Sequence, residues 1–309
     1  MRDNDYLWDR SGPPDPEVER LERLLAPLGY QRRRRLFPSM LAVGIAATVA
    51  AVAAGAVWMI SRAHSESWQV VAVAGKHHQS HVSSGATVET GPASRLRLEL
   101  SNFGHVEVEP NTRLKLLVAK PDEQRMSLIR GRIHAMIWAP PARFYVNTPS
   151  AVTVDLGCSY SLTVDESGDS TVRVDFGWVA FEDHGKESFI PAGAICVTRP
   201  GQGPGIPRYE DAPAALAAAL ERFDARADQS AVTQILYSAR PKDALSLWHL
   251  LRRVPAKDRG AVFDRIAEFI QVPENINRED ILRGDARAID ALWDALGLGD
   301  TEWWRTWRR

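Results

Sequence analysis

An uncharged run from Leu41 to Ile60, LAVGIAATVAAVAAGAVWMI, divides the chain and limits what either side of it can become. At roughly 1.5 Å of rise per residue, a helix of this length matches the ~30 Å hydrocarbon core of a bilayer. Trp58 lies near one end, where aromatic anchors concentrate. Arg32 to Arg35 precede the run, and Arg62 with acidic and polar residues follows it. The run therefore predicts a single transmembrane helix over 41–60. The positive-inside rule puts residues 1–35 in the cytoplasm and residues 61–309 on the periplasmic side of an inner membrane. Two other readings compete. A buried core helix fits poorly because the run has no polar face. A cleaved signal peptide, with Ser61-Arg62-Ala63 as a small-x-small site, fits poorly because the run is long and follows about 40 residues. Gly44, Ala47, Ala51 and Gly55 fall at spacings of three and four, a face on which another helix could approach.

The cytoplasmic tail, 1–35, carries Tyr6, Leu7 and Trp8, then a break at Ser11-Gly12-Pro13-Pro14. Val18, Leu21, Leu24, Leu25 and Leu28 then follow a helical period, with Asp15 placed to cap and Pro16 at the first helical position. A segment this short cannot bury its own apolar stripe. Tyr6, Leu7, Trp8, Val18, Leu21 and Leu25 are thus candidate contacts for a partner protein, the alternative being a helix lying on the inner leaflet.

After Trp68 the period becomes two. Arg95 to Leu100, His105 to Glu109 and Val172 to Phe176 alternate apolar with polar residues, and glycine- or proline-bearing turns separate them. This predicts an all-β exported unit over 68–200, built from stacked short antiparallel strands. Gly104, Gly131 and Gly177 each lead into such a strand, a loose repeat in which glycine serves a tight bend. Cys158 and Cys196 lie in this unit. Outside the cytoplasm they could form a disulfide closing a 38-residue loop, worth about 3–4 kcal/mol in the chain-entropy model; two buried free thiols are the alternative.

The stretch Ser84 to Thr198 resembles the FecR domain of bacterial transmembrane anti-sigma regulators. The residues that carry the resemblance run in order. They are Gly85-Ala86-Thr87-Val88-Glu89-Thr90-Gly91, Val108-Glu109-Pro110-Asn111-Thr112-Arg113-Leu114 and Leu128-Ile129-Arg130-Gly131-Arg132-Ile133. Phe144-Tyr145-Val146-Asn147-Thr148-Pro149, Val154-Asp155-Leu156-Gly157, Phe176-Gly177-Trp178-Val179 and Ile190-Pro191-Ala192-Gly193 complete the series. Gly157-Cys158-Ser159-Tyr160 stands where the family usually has Gly-Thr-x-Phe. The resemblance implies a regulator and not an enzyme. Its exported domain would meet a periplasmic or outer-membrane protein or cell-wall glycan, and its tail would act on a sigma factor or similar cytoplasmic regulator. An envelope scaffold without a cytoplasmic effector is the alternative.

The net charge of −1 offers nothing to nucleic acid. No phosphate loop, nucleophile elbow or zinc-protease motif occurs, so neither cofactor nor catalytic residue is expected. His77, His78 and His81 cluster, but a metal would need ligands that the sequence does not identify; a solvated loop is expected and no metal site. Gly201 to Pro207 sits within an expected linker, 201–210. The remainder, 211–309, reads as an all-α helical array, with apolar stripes such as Leu216, Leu220 and Phe223, or Ile289, Leu292 and Leu296. Trp303, Trp304 and Trp307 near the end are candidates for a membrane, wall or protein contact, unless they pack back on the helices.

Overall fold

The computed structural model describes residues 15–26, 52, 67–74, 81–226, 228 and 230–299. The chain divides into two units, Met1–Trp58 and Met59–Arg309. In the first, helix α1 (Pro16–Leu25) forms as the sequence indicates. The Asp15 side chain accepts a hydrogen bond from Glu17 N at 2.8 Å, and Pro16 opens the first turn.

In the second unit the period-two segments become strands, and two sheets can be traced through them. The first runs β2 (His81–Ser83), β1 (Ser67–Ala74), β4 (Arg95–Glu99), β5 (Gly104–Val108) and β7 (Gln124–Ile137). It continues through β10 (Ser159–Val164), β11 (Ser170–Phe176) and β14 (Ala194–Arg199) to β15 (Gly203–Pro204) and β16 (Arg208–Tyr209). The second runs β3 (Thr87–Glu89), β6 (Arg113–Ala119), again β7, β8 (Phe144–Asn147), β9 (Val152–Asp155), β12 (Trp178–Asp183) and β13 (Lys186–Pro191).

Strand β7 belongs to both sheets. Gln124 to Arg130 pairs with β6, and Gly131 to Ile137 with β5 and β10. At the change-over its burial parity slips by one residue: Met126 and Leu128 are buried before it, Ile133, Ala135 and Ile137 after it. A one-residue slip turns a strand's apolar face over, so the two halves of β7 can each contribute to the core. Gly131 makes this possible. Its φ is +93°, and a Cβ there would lie 2.4 Å from Thr112 Oγ1. That hydroxyl donates to Arg132 O and accepts from Arg132 N, pinning the bend. Gly104, with φ +135°, meets a similar limit: a Cβ would sit 2.0 Å from Met136 O. Gly131→Ala is expected to cost ~3 kcal/mol, combining a left-handed backbone with a clash on a bonded neighbour. Urea denaturation checks this; a loss below about 1 kcal/mol would mean the bend relaxes freely.

The C-terminal helices are α2 (Ala214–Arg226), α3 (Ser230–Ser238), α4 (Ala244–Leu251), α5 (Ala256–Ala267), α6 (Arg278–Arg283) and α7 (Ala286–Ala295). All eight residues of α4 are buried, so this helix is enclosed on every side. Trp248 and Trp293 meet at 4.6 Å between ring centroids, and Trp293 reaches Trp178 of β12 at 5.7 Å and Phe189 of β13 at 5.9 Å. Their polar ends are satisfied: Trp248 Nε1 donates to Ile289 O and Trp293 Nε1 to Gly299 O. Ser246 Oγ donates to Pro207 O, and the His249 ring lies 3.3 Å from Phe189 O.

Three expectations about the fold class are corrected. The molecule is mostly β-sheet with an α-helical C-terminal region, and the single transmembrane helix is not supported. No helix among the described residues is long and apolar enough to cross a membrane, and Leu41–Ile60 lies outside the described residues apart from Val52. The strands are neither uniformly short nor uniformly antiparallel. Strand β7 has 14 residues, and β7 pairs with β8 in parallel. Finally, the helices are not an array with its own interior: strand and helix residues form one apolar cluster extending from Trp68 to Trp293. The Gly/Pro-rich stretch 201–210 is part of that packing. Gly203–Pro204 pairs with β14, and Gly205 N donates to Val197 O at 2.9 Å. A Cβ at Gly205 would lie 2.5 Å from that same oxygen, so glycine here permits close backbone approach and not a loose connection.

Candidate functional site

Two surfaces and one buried cluster carry the chemistry of interest. The first surface is α1. It buries no residue, and Leu21, Leu24 and Leu25 are 56%, 66% and 55% exposed, with Val18 half-buried. Acidic residues occupy its first turn and Arg23 its last, which suits the helix dipole. Capping and charge placement favour the helix, but ten residues are too few to hold it firmly in water without something packed on the leucines. Tyr6, Leu7 and Trp8, the other tail candidates, lie outside the described residues, as do Trp303, Trp304 and Trp307.

The second surface is a cleft of about 620 Å³ on the outer side of the second sheet. Tyr145 of β8, Val152 of β9 and Glu182 of β12 form its floor, and Arg252, just past α4, closes it from the helical side. Arg125 lies 4.1 Å from the Tyr145 ring centroid and bonds Glu123 Oε1 at 2.9 Å and Asn147 Oδ1 at 3.2 Å. The Tyr145 hydroxyl donates to Ala142 O, and burial raises its pKa above that of an ordinary phenol. Three basic residues (Arg125, Lys186, Arg252) face three acidic ones (Glu182, Asp183, Glu187) around this cleft. The balance of charge suits a polar protein surface with both signs more than a simple anion or cation.

The buried cluster is at the end of β9. Asp155 is 1% exposed, and no ion pair reaches it among the described residues. It accepts from Gly157 N at 2.7 Å and from the Cys158 thiol. Burial pushes its carboxyl up to about 7, against the pull of those two bonds. The same burial, with Asp155 close by, holds the Cys158 thiol and the Tyr160 hydroxyl well above their ordinary values. Cys196, also pushed up by burial, to about 12, donates to Gly205 O at 3.3 Å. Both cysteines are free and buried, so each behaves as a small packed thiol. Each side chain faces its own polar neighbour, and no bridge joins them.

Sequence reasoning passed over Asp155, although it sits in the Val154-Asp155-Leu156-Gly157 run as the one carboxylate at an inward strand position. It also passed over Arg252 and Lys186, which only the fold brings together. Of the histidine cluster, His81 opens β2 and His77 and His78 lie outside the described residues; no group of metal-ligating side chains forms among the described residues.

A FecR protein family model matches residues 86–180. No curated protein matches the chain. Two crystal structures of a candidate anti-sigma factor from Parabacteroides distasonis, at 1.65 and 2.50 Å resolution, match part of this chain at 16% identity and a TM-score of 0.36. Each similarity covers 44% of this chain, and this chain spans 65% and 64% of the two solved chains.

Proposed function

We propose that this chain is an anti-sigma-type regulator, in which α1 holds a sigma factor and the FecR-bearing unit binds a second protein at the cleft beneath Arg252. The observation that carries this is the exposed Leu21, Leu24 and Leu25 stripe on a helix that buries nothing, in a chain that carries a FecR domain. An amphipathic helix of this kind gains stability by laying its apolar face into a groove on another protein. The cleft supplies a separate polar surface assembled from strands and helices together, as a signal-receiving face requires. FecR proteins are regulatory, which supports a binding role for this chain.

The full chain, immobilised, is expected to retain a sigma factor from the same genome at micromolar concentration. Leu21→Asp with Leu25→Asp should lower the affinity at least ~100-fold, since two buried leucines at an interface are worth about 3 kcal/mol or more. Unchanged retention by the double variant, or no retention of any sigma factor, would overturn the assignment.

A second reading has its own observation. On the outer face of the first sheet, Met136 stands in a cross-strand row with His105, Ser159 and Phe176; Phe176 is 72% exposed and nearby Trp138 60%. Exposed aromatics among polar side chains suit a protein- or glycan-binding scaffold with no effector. Such a scaffold would bind its ligand normally in the α1 double variant and would hold no sigma factor.

A further inference from the structure

A second cavity, of about 360 Å³, adjoins the cleft and shares Lys186 and Arg252 with it. Its composition is different. Lys186 of β13, Arg199 of β14, and Arg252 and Arg253 beyond α4 line it, and Asp224 of α2 is the one carboxylate among its lining residues. The backbone of Gly203, Pro204 and Gly205 forms one wall, with Val197 and Phe223 as apolar surface.

Most of these groups are already committed in ways that leave the cavity positive. Asp224 is used at the base: Oδ2 accepts from Ile206 N at 2.7 Å, and Oδ1 lies 3.4 Å from Arg253 Nη1. Arg253 also donates to Ser188 Oγ at 2.6 Å and lies 3.4 Å from Glu187 O. Burial raises the Asp224 carboxyl and lowers the Arg253 guanidinium, each by more than the partner restores, so the pair is short of compensation. Arg199 is 3.4 Å from Asp169, and Lys186 Nζ donates to Gln202 O at 2.7 Å. Arg252 has no carboxylate partner among the described residues; its guanidinium lies 4.9 Å from the Trp248 ring centroid.

The end of α4 accounts for a cation at Arg252, because helix C-termini favour positive charge. It does not account for Lys186 and Arg199, which arrive from two different strands. Four cations line one concavity; Asp224 and Asp169 pair with Arg253 and Arg199, and Asp183 borders the Gly203 wall, so the balance stays positive and its surplus sits at Arg252 and Lys186. The volume falls in the range of small-ligand sites. We propose that this cavity binds an oxyanion-bearing ligand, a carboxylate or a phosphate group, held by Arg252 and Lys186 above the Arg253–Asp224 pair.

Two probes separate the possible sources of the oxyanion. Inorganic phosphate tests the phosphoryl group, and tri-alanine with a free C-terminus tests a peptide carboxylate, with tri-alanine amide as its uncharged control. Each is titrated into the full chain by calorimetry at constant ionic strength in chloride. Saturable binding of phosphate or of the free-acid peptide is expected, with none for the amide. Lys186→Gln and Arg252→Gln should each weaken it at least ~10-fold, the loss of one charge-assisted hydrogen bond. Arg283→Gln, at the exposed end of α6 outside the cavity, should bind as the parent does. Phosphate alone binding assigns a phosphorylated ligand; the free-acid peptide alone assigns a C-terminus. Absence of saturable binding by both probes up to ~10 mM, or equal binding by the Lys186→Gln, Arg252→Gln double variant, would overturn the proposal.

Discussion

Asp155→Asn is expected to make the protein more stable at neutral and alkaline pH and to leave it nearly unchanged in acid. The carboxyl titrates near 7 in the folded chain and near 3.8 when exposed, so the folded state binds the extra proton between those values. Stability from this group is therefore fully present below about pH 4, declines as the pH rises, and is lost above about pH 7. The span from 3.8 to about 7 corresponds to ~4 kcal/mol. Asparagine keeps an acceptor for Gly157 N and carries no charge to desolvate. Comparing the two proteins by chemical denaturation across this range isolates the effect, because Glu107 and Asp264, held below the usual carboxylate range by hydrogen bonds from Arg97 and Arg278, titrate in both. A difference between them that does not vary with pH would sink the assignment of a buried, unpaired carboxylate at 155.

Arg253→Ala is expected to lower stability by about 3 kcal/mol, the low end of the usual cost of leaving one member of a buried ion pair without the other, because both side chains are half-buried. Three elements depend on this side chain: Asp224 on α2, Ser188 on β13 and the chain just beyond α4. Removing it leaves Asp224 without its cation and Ser188 Oγ without its donor, although Ser188 Oγ still donates to Gly205 O. The double change Arg253→Met with Asp224→Leu should recover only part of the loss, since it removes both charges but leaves Ile206 N without the Asp224 acceptor. Guanidinium melts of the single and double variants check both statements. A single variant within about 1 kcal/mol of the parent would show that water reaches Asp224 freely.

Local chemistry made part of this legible in advance. Period-two alternation located strands such as β4, β5 and β11, and the Asp15-Pro16 pair located the start of α1. The ordered FecR-like segments located the matched domain. Gly104, Gly131 and Gly177 could be recognised as obligatory bends without knowing what crowded them. What could not be read was anything that depends on which segments meet. The parity slip in β7 is invisible because Arg130, Gly131 and Arg132 are polar or small on both sides of it. The glycines and prolines of 201–207 spell a flexible connection, yet they are selected for close approach to β14. The Arg253–Asp224 pair joins positions 29 residues apart, and Lys186 is farther still from Arg252. Inward carboxylates are rare enough that Asp155 was legible in principle: its neighbours Val154 and Leu156 are strand formers, and burial on both sides of a strand end leaves it nowhere to point but in.

The pairing of β12 with β13, and the tryptophans that seat the helices on both, bear on how the molecule can be cut. The FecR match ends at residue 180, inside β12. A fragment excised at that point would lose the second half of β12, all of β13 and the helices that cover them. Val152 and Thr153 of β9 would then lose their partners Glu182 and Phe181, leaving half of that strand as a raw margin open to pairing with other chains. The recognisable sequence module is thus smaller than the smallest piece expected to remain soluble. Limited proteolysis should accordingly release the helices and the sheets together, as a single resistant body, and not a trimmed β domain.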